Sequence, residues 1–313
     1  MESPKQRSPR NRTLVVSADE QMQLATRIKT LDGMTPYAPI NTTINQDFFG
    51  AVGYLPESIA DLIVLDPPYN IPKNYNGLNF KEQSAGDYAI WFESIITKLL
   101  PLLKEDGTIY VCSDWKTSMI IGPILTKILH VRNRITWERE KGRGAKTNWK
   151  NNTEDIWFCT KSNDYYFDVD AVKLKRKVIA PYRDKEGIAK DWETEADGNF
   201  RLTYPSNIWT DITIPFWSMP ENTDHPTQKP EKLIAKLILA STKKDGVVLD
   251  PFLGSGTTSV VAKKLGRGYI GIEQNLEYCC WAEKRLEEAA DDSEIQGYKD
   301  GVFWERNSLA EQK

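Results

Sequence analysis

Two short stretches carry residue types at a spacing that could do chemistry. The first is LIVLDPPYN, residues 62–70. Leu62, Ile63, Val64 and Leu65 are β-prone and lack polar alternation, which suits a parallel strand covered on both faces. Pro67 has no amide hydrogen and Pro68 restricts the residue before it, so the strand ladder ends at Asp66 and the chain leaves in a stiff turn. A carboxylate, a carbonyl and the Tyr69 ring are thereby held together at the carboxyl end of a strand, where open α/β sheets bind ligands. An isolated Asp-Pro would be ordinary punctuation. The second stretch is DPFLGSGTT, residues 250–258, in which a strand, a glycine turn and a helix follow one another. Gly254 and Gly256 let backbone approach a ligand closely, and the helix amino terminus presents free amides. The pattern is neither a Walker loop nor the dinucleotide GxGxxG. Glu273 ends the next strand about twenty residues on, placed to accept hydrogen bonds from ribose hydroxyls, so the ligand contains a nucleoside.

The elements that must position these stretches follow from periodicity. TTINQDF reads as a short strand ending at Asp47, and LIVLDPPY as the next strand. DYAIWFESIITKLLPLLKEDG has apolar residues at helical spacing and closes on Gly107 as a C-cap, before a strand at TIYVCS. ITWERE and DIWFCTK are two more strands, forming an antiparallel end to the sheet. From about Asp168 to Asp224 the periodicity dissolves into mixed charge, aromatics and prolines, an elaboration outside the core. A helix at PEKLIAKLILAST, the strand–turn–helix around Asp250, a strand at YIGIEQ and a closing helix at NLEYCCWAEKRLEEAA complete an α/β fold. Adjacent strands would bring Asp66 and Asp250 together.

Composition bounds the reading. The chain has 313 residues, enough for one large α/β domain with an insertion. No apolar run approaches the roughly 20 residues of a membrane span and the start lacks a secretory core, so a soluble, cytoplasmic protein is expected. Cys112, Cys159, Cys279 and Cys280 have no CxxC spacing and only His130 and His225 could join them, so buried reduced thiols, and no metal site, are expected. A net charge of −3 argues against indiscriminate coating of nucleic acid. Basic residues nevertheless cluster in the tail, at Arg139–Lys150 and at Lys173–Lys185, a hint of phosphate contact.

LDPPYN, HPTQKP and DPFLGSGTT together resemble the S-adenosylmethionine-dependent DNA amino-methyltransferases, which modify adenine N6 or cytosine N4. The resemblance runs from about Asn45 to Leu286, and the order, catalytic motif first and cofactor motif last, is that of the permuted β class. It implies a Rossmann-like class I methyltransferase fold with a mixed seven-stranded sheet, a circularly permuted motif order and an inserted target-recognition segment. The chain then divides into a flexible basic tail (1–13), a catalytic half (14–138), final sheet strands with the insertion (139–223), a cofactor-binding half (224–290) and a C-terminal extension (291–313).

The resemblance also implies roles. Asp66 and the Pro67 carbonyl would accept the hydrogens of a base amine, Pro68 would stiffen the turn, and Tyr69 would stack on a base flipped out of the duplex. S-adenosylmethionine would lie against Asp47, His225, Thr227, Lys229, Asp250, Phe252, Gly254, Ser255, Gly256, Thr257, Thr258 and Glu273. His225 is not expected to act as an acid or base, because a sulfonium donor needs no leaving-group proton. Trp149 and Glu154 match positions that contact the flipped base or that simply pack. Arg143, Lys146, Trp149, Lys173, Lys175, Arg176, Lys177 and Arg183 would meet DNA, chiefly its phosphates.

Permuted enzymes acting on cytosine usually carry Ser where this chain has Asp66, which favours adenine N6 in double-stranded DNA. Cytosine N4, structured RNA as substrate, and a non-catalytic DNA-binding module are the alternatives. The resemblance admits a homodimer and a cognate restriction endonuclease that need not touch the protein, and the residues neither require nor exclude either.

Overall fold

A strand with no polar alternation must be covered twice. Along β2 (Ala60–Leu65), after β1 (Thr42–Asn45), the side chains divide accordingly. Leu62 and Val64 join one buried cluster and Ile63 and Leu65 the other. The structure is a computed structural model that describes residues 8–33, 38–75, 78–139, 146–178, 183–188, 191–195 and 198–306.

The chain opens with α1 (Ala18–Ala25), capped reciprocally by Ser17 and Glu20, and α2 (Phe48–Ala51) follows β1. After β2 come a hairpin, β3 (Lys73–Tyr75) and β4 (Leu78–Phe80), then α3 (Ala85–Leu99), β5 (Leu103–Ser113), α4 (Trp115–Ile128), β6 (His130–Glu138) and β7 (Thr153–Thr160). Short strands β8 (Leu174–Lys177), β9 (Glu193–Glu195), β10 (Gly198–Thr203) and β11 (Ile208–Trp209) fill the insertion. Then α5 (Glu231–Ser241), β12 (Val247–Asp250), α6 (Thr257–Lys264), β13 (Gly268–Glu273) and α7 (Leu276–Asp291) lead to β14 (Tyr298–Lys299) and β15 (Val302–Trp304).

The main sheet runs β1-β13-β12-β2-β5-β7-β6-β11. The seven expected strands are all present, and the two-residue β11 adds an eighth at the edge. β1, β13, β12, β2 and β5 are parallel neighbours, while β7 lies antiparallel between β5 and β6. Helices α3 and α4 cover one face through Phe92, Ile95, Ile121 and Leu125. Helices α5, α6 and α7 cover the other through Leu233, Leu237, Val260 and Leu286.

Several sequence expectations change. Gly107 does not cap α3, because the helix stops at Leu99 and a single turn containing Pro101 delivers the chain into β5, where Gly107 sits within the strand. The first strand ends at Asn45, and Asp47 is instead the N-cap of α2, accepting from the Phe49 amide at 2.9 Å. The segment from Asp168 to Asp224 is not wholly outside the core: Val172, Leu174, Trp209, Ile212 and Ile214 belong to the cluster beneath α5. Its strands β8, β9 and β10 form a second sheet, β14-β15-β8-β10-β9, completed by the C-terminal extension. Of the two final strands expected after residue 138, β6 lies before that boundary. The tail expected over residues 1–13 is tied down at its end, where the Arg12 amide donates to the Trp217 carbonyl at 2.6 Å and Asn222 Nδ2 to Thr13 Oγ1 at 2.8 Å. All four cysteines are free thiols and buried. Among the described residues, no helix is long and apolar enough to cross a membrane.

Candidate active site

β2 and β12 are parallel neighbours, with Leu62 opposite Val248 and Ile63 opposite Leu249, so Asp66 and Asp250 emerge at the same edge. A cavity of about 240 Å³ opens there, lined from both strand ends, from HPTQKP and from the start of β7.

At one side of the cavity lies a charged cluster. Lys229 Nζ donates to Asp66 Oδ2 at 2.6 Å and to the Tyr69 hydroxyl oxygen at 3.2 Å, and it stands 3.4 Å from Glu154 Oε2. The Tyr69 hydroxyl donates to Asp66 Oδ1 at 2.9 Å and lies 3.3 Å from Glu154 Oε2. Arg139 Nη1 closes the cluster on Glu154 Oε1 at 2.5 Å. Burial, and then the charges of Asp66 and Glu154, push the Tyr69 phenol well above its ordinary range, so it stays a donor. Burial alone would favour neutral Lys229, but Asp66 and Glu154 outweigh it and hold the ammonium charged.

The glycine turn and the end of β13 occupy the other side. Glu273 ends β13 with Oε2 accepting from the Gly254 amide at 2.9 Å and Oε1 from the Asn275 amide at 2.8 Å. Burial raises its carboxyl, and these amides oppose the rise. Asp250 accepts from Thr258 Oγ1 at 2.5 Å and from the Phe252 amide at 3.0 Å, yet burial still pushes its carboxyl up to about 7. Phe252 stacks on Phe48 with centroids 5.5 Å apart. His225 packs edge-on to Tyr278 at 4.6 Å, and its Nδ1 accepts from the Thr227 amide at 3.4 Å. Burial, reinforced by the Lys229 charge, lowers His225 to about 3, so the ring is neutral and suited to packing.

Not every residue expected here reaches the cavity. Asp47, Asp66, Pro67, Pro68, Tyr69, His225, Thr227, Lys229, Asp250, Phe252, Gly254, Ser255, Thr257, Thr258 and Glu273 line it, and Gly256 does not. Gly256 adopts φ +87°, and an added Cβ would come within 2.5 Å of the Ala282 Cβ, so its glycine serves the packing of α6 on α7. Gly254, at φ +56°, faces the His225 ring, which an added Cβ would meet at 3.0 Å. Of the two alternative base contacts, Glu154 lines the cavity, whereas Trp149 is 93% exposed on the connection from β6 to β7.

Of the eight residues expected to meet DNA, none of the seven that the structure describes lines the cavity. Lys146 is exposed beside Trp149, and Arg143 lies outside the described residues. Strand β8 is not a free basic face. Lys173 pairs with Asp170 at 2.8 Å, Lys175 with Glu195 at 2.6 Å and Arg176 with Glu305 at 3.6 Å, while the Lys177 amide donates to Glu305. Arg183 donates to the Gly187 carbonyl and stacks over Trp192 at 4.9 Å. The sequence reading had Arg139 only as the start of a basic segment for phosphate contact, and it missed Asn151 and Thr153 at the base of the β6–β7 connection and Phe48 and Tyr278 near Glu273. Phe48, next to Asp47, and Tyr278, one turn into α7 after its Asn275 cap, had a local signal; the others did not.

Comparison with known proteins agrees with this geometry. The N6/N4 family model described as DNA methylase matches residues 60–284. The DNA adenine methyltransferase YhdJ of Escherichia coli (strain K12) is 32% identical over 280 residues, covering 86% of this chain and 92% of that protein. The type II methyltransferase M.HpaI of Haemophilus parainfluenzae is 34% identical over 255 residues, covering 79% and 73%. Among solved structures, the M1.HpyAVI-SAM complex aligns with TM-score 0.54 at 23% identity, covering 78% of this chain and 98% of that one. The cytosine-N4-specific PvuII DNA methyltransferase aligns with TM-score 0.57 at 17% identity, covering 82% and 93%. The chain belongs to the N6/N4 DNA methylase family and has its class I methyltransferase fold.

Proposed function

We propose that this DNA methyltransferase acts on the N6 amine of an adenine flipped out of duplex DNA, with S-adenosylmethionine as the donor. The observation that carries the reading is the Asp66 carboxylate, stiffened by Pro67 and Pro68, at the mouth of a cavity whose far side ends on Glu273. YhdJ, an adenine methyltransferase by name, supports adenine over cytosine, and the type II relatives bring a restriction–modification setting to the proposal.

The residues present fit the cofactor. Ser255 Oγ is buried with no hydrogen-bond partner among the described residues, and Ser255 lines the cavity, leaving a polar atom for a ligand to satisfy. Asp47, Phe252 and Glu273 would hold the nucleoside, and Gly254, Ser255, Thr257, Thr258, Asp250, His225 and Thr227 the remainder. When bound, S-adenosylmethionine supplies an electrophilic methyl on a sulfonium that keeps the electron pair of the broken S–C bond.

The chain's own task is to make a poor nucleophile adequate. An exocyclic amine has its lone pair delocalised into the ring. Acceptance of its two hydrogens by Asp66 and the Pro67 carbonyl favours tetrahedral nitrogen, and the Tyr69 ring holds the base plane. Forming the N–C bond consumes the lone pair, and one amine proton is released. The larger part of DNA contact falls to Lys146 and Trp149, exposed on the connection from β6 to β7, and a smaller part to Lys173, Lys175 and Arg176, which pair internally, and to Lys177 and Arg183. Target readout is assigned to residues 139–223.

The test is transfer of a labelled methyl group from S-adenosylmethionine to mixed-sequence duplex DNA, with nucleoside mass analysis of the digest. N6-methyladenine is expected. N4-methylcytosine would overturn the base assignment, and labelling of structured RNA but not duplex DNA would overturn the substrate.

A further inference from the structure

HPTQKP begins beside the cofactor side of the cavity, at His225, but it ends on the acceptor side. Lys229 is the last residue before Pro230, the N-cap of α5, and its carbonyl accepts from Thr257 Oγ1 at 3.1 Å. Arg285 holds that hydroxyl in turn, donating to Thr257 Oγ1 at 3.0 Å and to the Ser255 carbonyl at 2.9 Å. The Lys229 backbone is therefore fixed to the first turn of α6, while its side chain, 8% exposed, reaches across to β2 and β7.

An ammonium has three N–H donors. Here three acceptors stand around it, Asp66 Oδ2 at 2.6 Å, the Tyr69 hydroxyl at 3.2 Å and Glu154 Oε2 at 3.4 Å. A contact to the cofactor would have to draw the ammonium away from two buried carboxylates. The charges in the cluster also balance, with Lys229 and Arg139 against Asp66 and Glu154, which is the condition for keeping ions out of water.

We propose that Lys229 is a positioning residue for Asp66 rather than a cofactor ligand. It fixes Oδ2, so that Oδ1 alone is presented to the acceptor amine, and Glu154, its Oε2 3.4 Å from Nζ, holds the ammonium in turn. The two oxygens have different partners for different reasons. Withdrawing Lys229 from Oδ2 would strand a buried carboxylate, whereas the phenol on Oδ1 is a neutral donor whose place an amine N–H can take, at the cost only of the longer 3.2 Å bond from Lys229 to the hydroxyl. Tyr69 becomes free to stack on the base in the same exchange.

The inference rests on the amino-methyl-transfer reading, which wild-type methylation of duplex DNA tests on its own before any variant is made. Two quantities are then read for Lys229→Gln and Lys229→Arg: the dissociation constant for S-adenosylmethionine by titration, and the single-turnover methylation rate at saturating cofactor. Lys229→Gln is expected to bind the cofactor within about twofold of wild type, which also reports a folded site, and to transfer roughly 100-fold more slowly, the scale of a misplaced reacting group. Lys229→Arg, which keeps the charge, is expected to recover about tenfold of that loss. A Lys229→Gln rate within about threefold of wild type at saturation would overturn the proposal, and cofactor affinity weakened tenfold or more would return Lys229 to the cofactor. Equal loss in both variants would also overturn it, because an orienting cation should be partly replaceable.

Discussion

Asp66 and Asp250 are the same residue type at the carboxyl ends of adjacent parallel strands, two register positions apart, yet their surroundings are opposite. Asp66 meets an ammonium at 2.6 Å and a phenol at 2.9 Å. Asp250 meets only neutral donors, a threonine hydroxyl and a backbone amide, and burial raises its carboxyl to about 7. The difference teaches that a strand-end acid has no chemistry of its own. Lys229, more than 80 residues away from Asp66 in the chain, supplies the cation that meets it, and Glu154 holds that cation in turn. Asp250 is tied into the glycine turn by residues two and eight positions on.

The comparison is broken most directly by making both residues Asn. Asp66→Asn is expected to lose on the order of 10³-fold in transfer with little change in cofactor affinity, and Asp250→Asn to stay within about tenfold of wild type. Equal losses, measured as single-turnover rates, would erase the distinction.

The second contrast is in pH. Because the folded Asp250 carboxyl titrates near 7 rather than its ordinary 3.8, the native state holds a proton that the unfolded chain has lost. Its contribution is therefore fully present below about pH 4 and is lost as pH rises to about 7, on the order of 2–4 kcal/mol in total. Denaturant unfolding of wild type and Asp250→Asn from pH 4 to pH 8 checks this. The difference between them should grow with pH across that window in favour of Asn, and the contribution of His225, common to both proteins, cancels.

A smaller effect sharpens the reading of the glycine turn. Gly256→Ala puts a Cβ against Ala282 at a positive φ and should cost about 2 kcal/mol of stability. A thermal melt with and without S-adenosylmethionine checks it. The loss should appear in both, because the clash is with α7 and not with the ligand. The smallest effect belongs to β8: Arg176→Ala, which removes a cation already facing Glu305, should change the slope of log affinity against log salt for duplex DNA by less than about one.

Much of the fold was legible because its signals are local. The uninterrupted run at residues 62–65, the prolines after Asp66, the glycine turn and the apolar spacing of α3, α5 and α7 specify elements within a few residues. The misread boundaries were also local contests: Gly107 looked like a helix stop, but Pro101 had already turned the chain. The insertion was opaque because β8, β9 and β10 are three to six residues long, and their second sheet is completed by β14 and β15, about 100 residues further on.

By itself the sequence determined the two strand ends, their order along the chain and the residue types offered at each, because backbone stereochemistry and side-chain periodicity act over a few residues. Only the tertiary structure decided which charges meet. It placed Lys229 on Asp66 rather than leaving it with its neighbour His225, brought Glu154 and Arg139 to the same cluster, turned Gly256 towards α7, and spent Lys173, Lys175 and Arg176 on Asp170, Glu195 and Glu305. Electrostatic pairing depends on distance in space and on exclusion of water, and neither quantity is written in sequence separation.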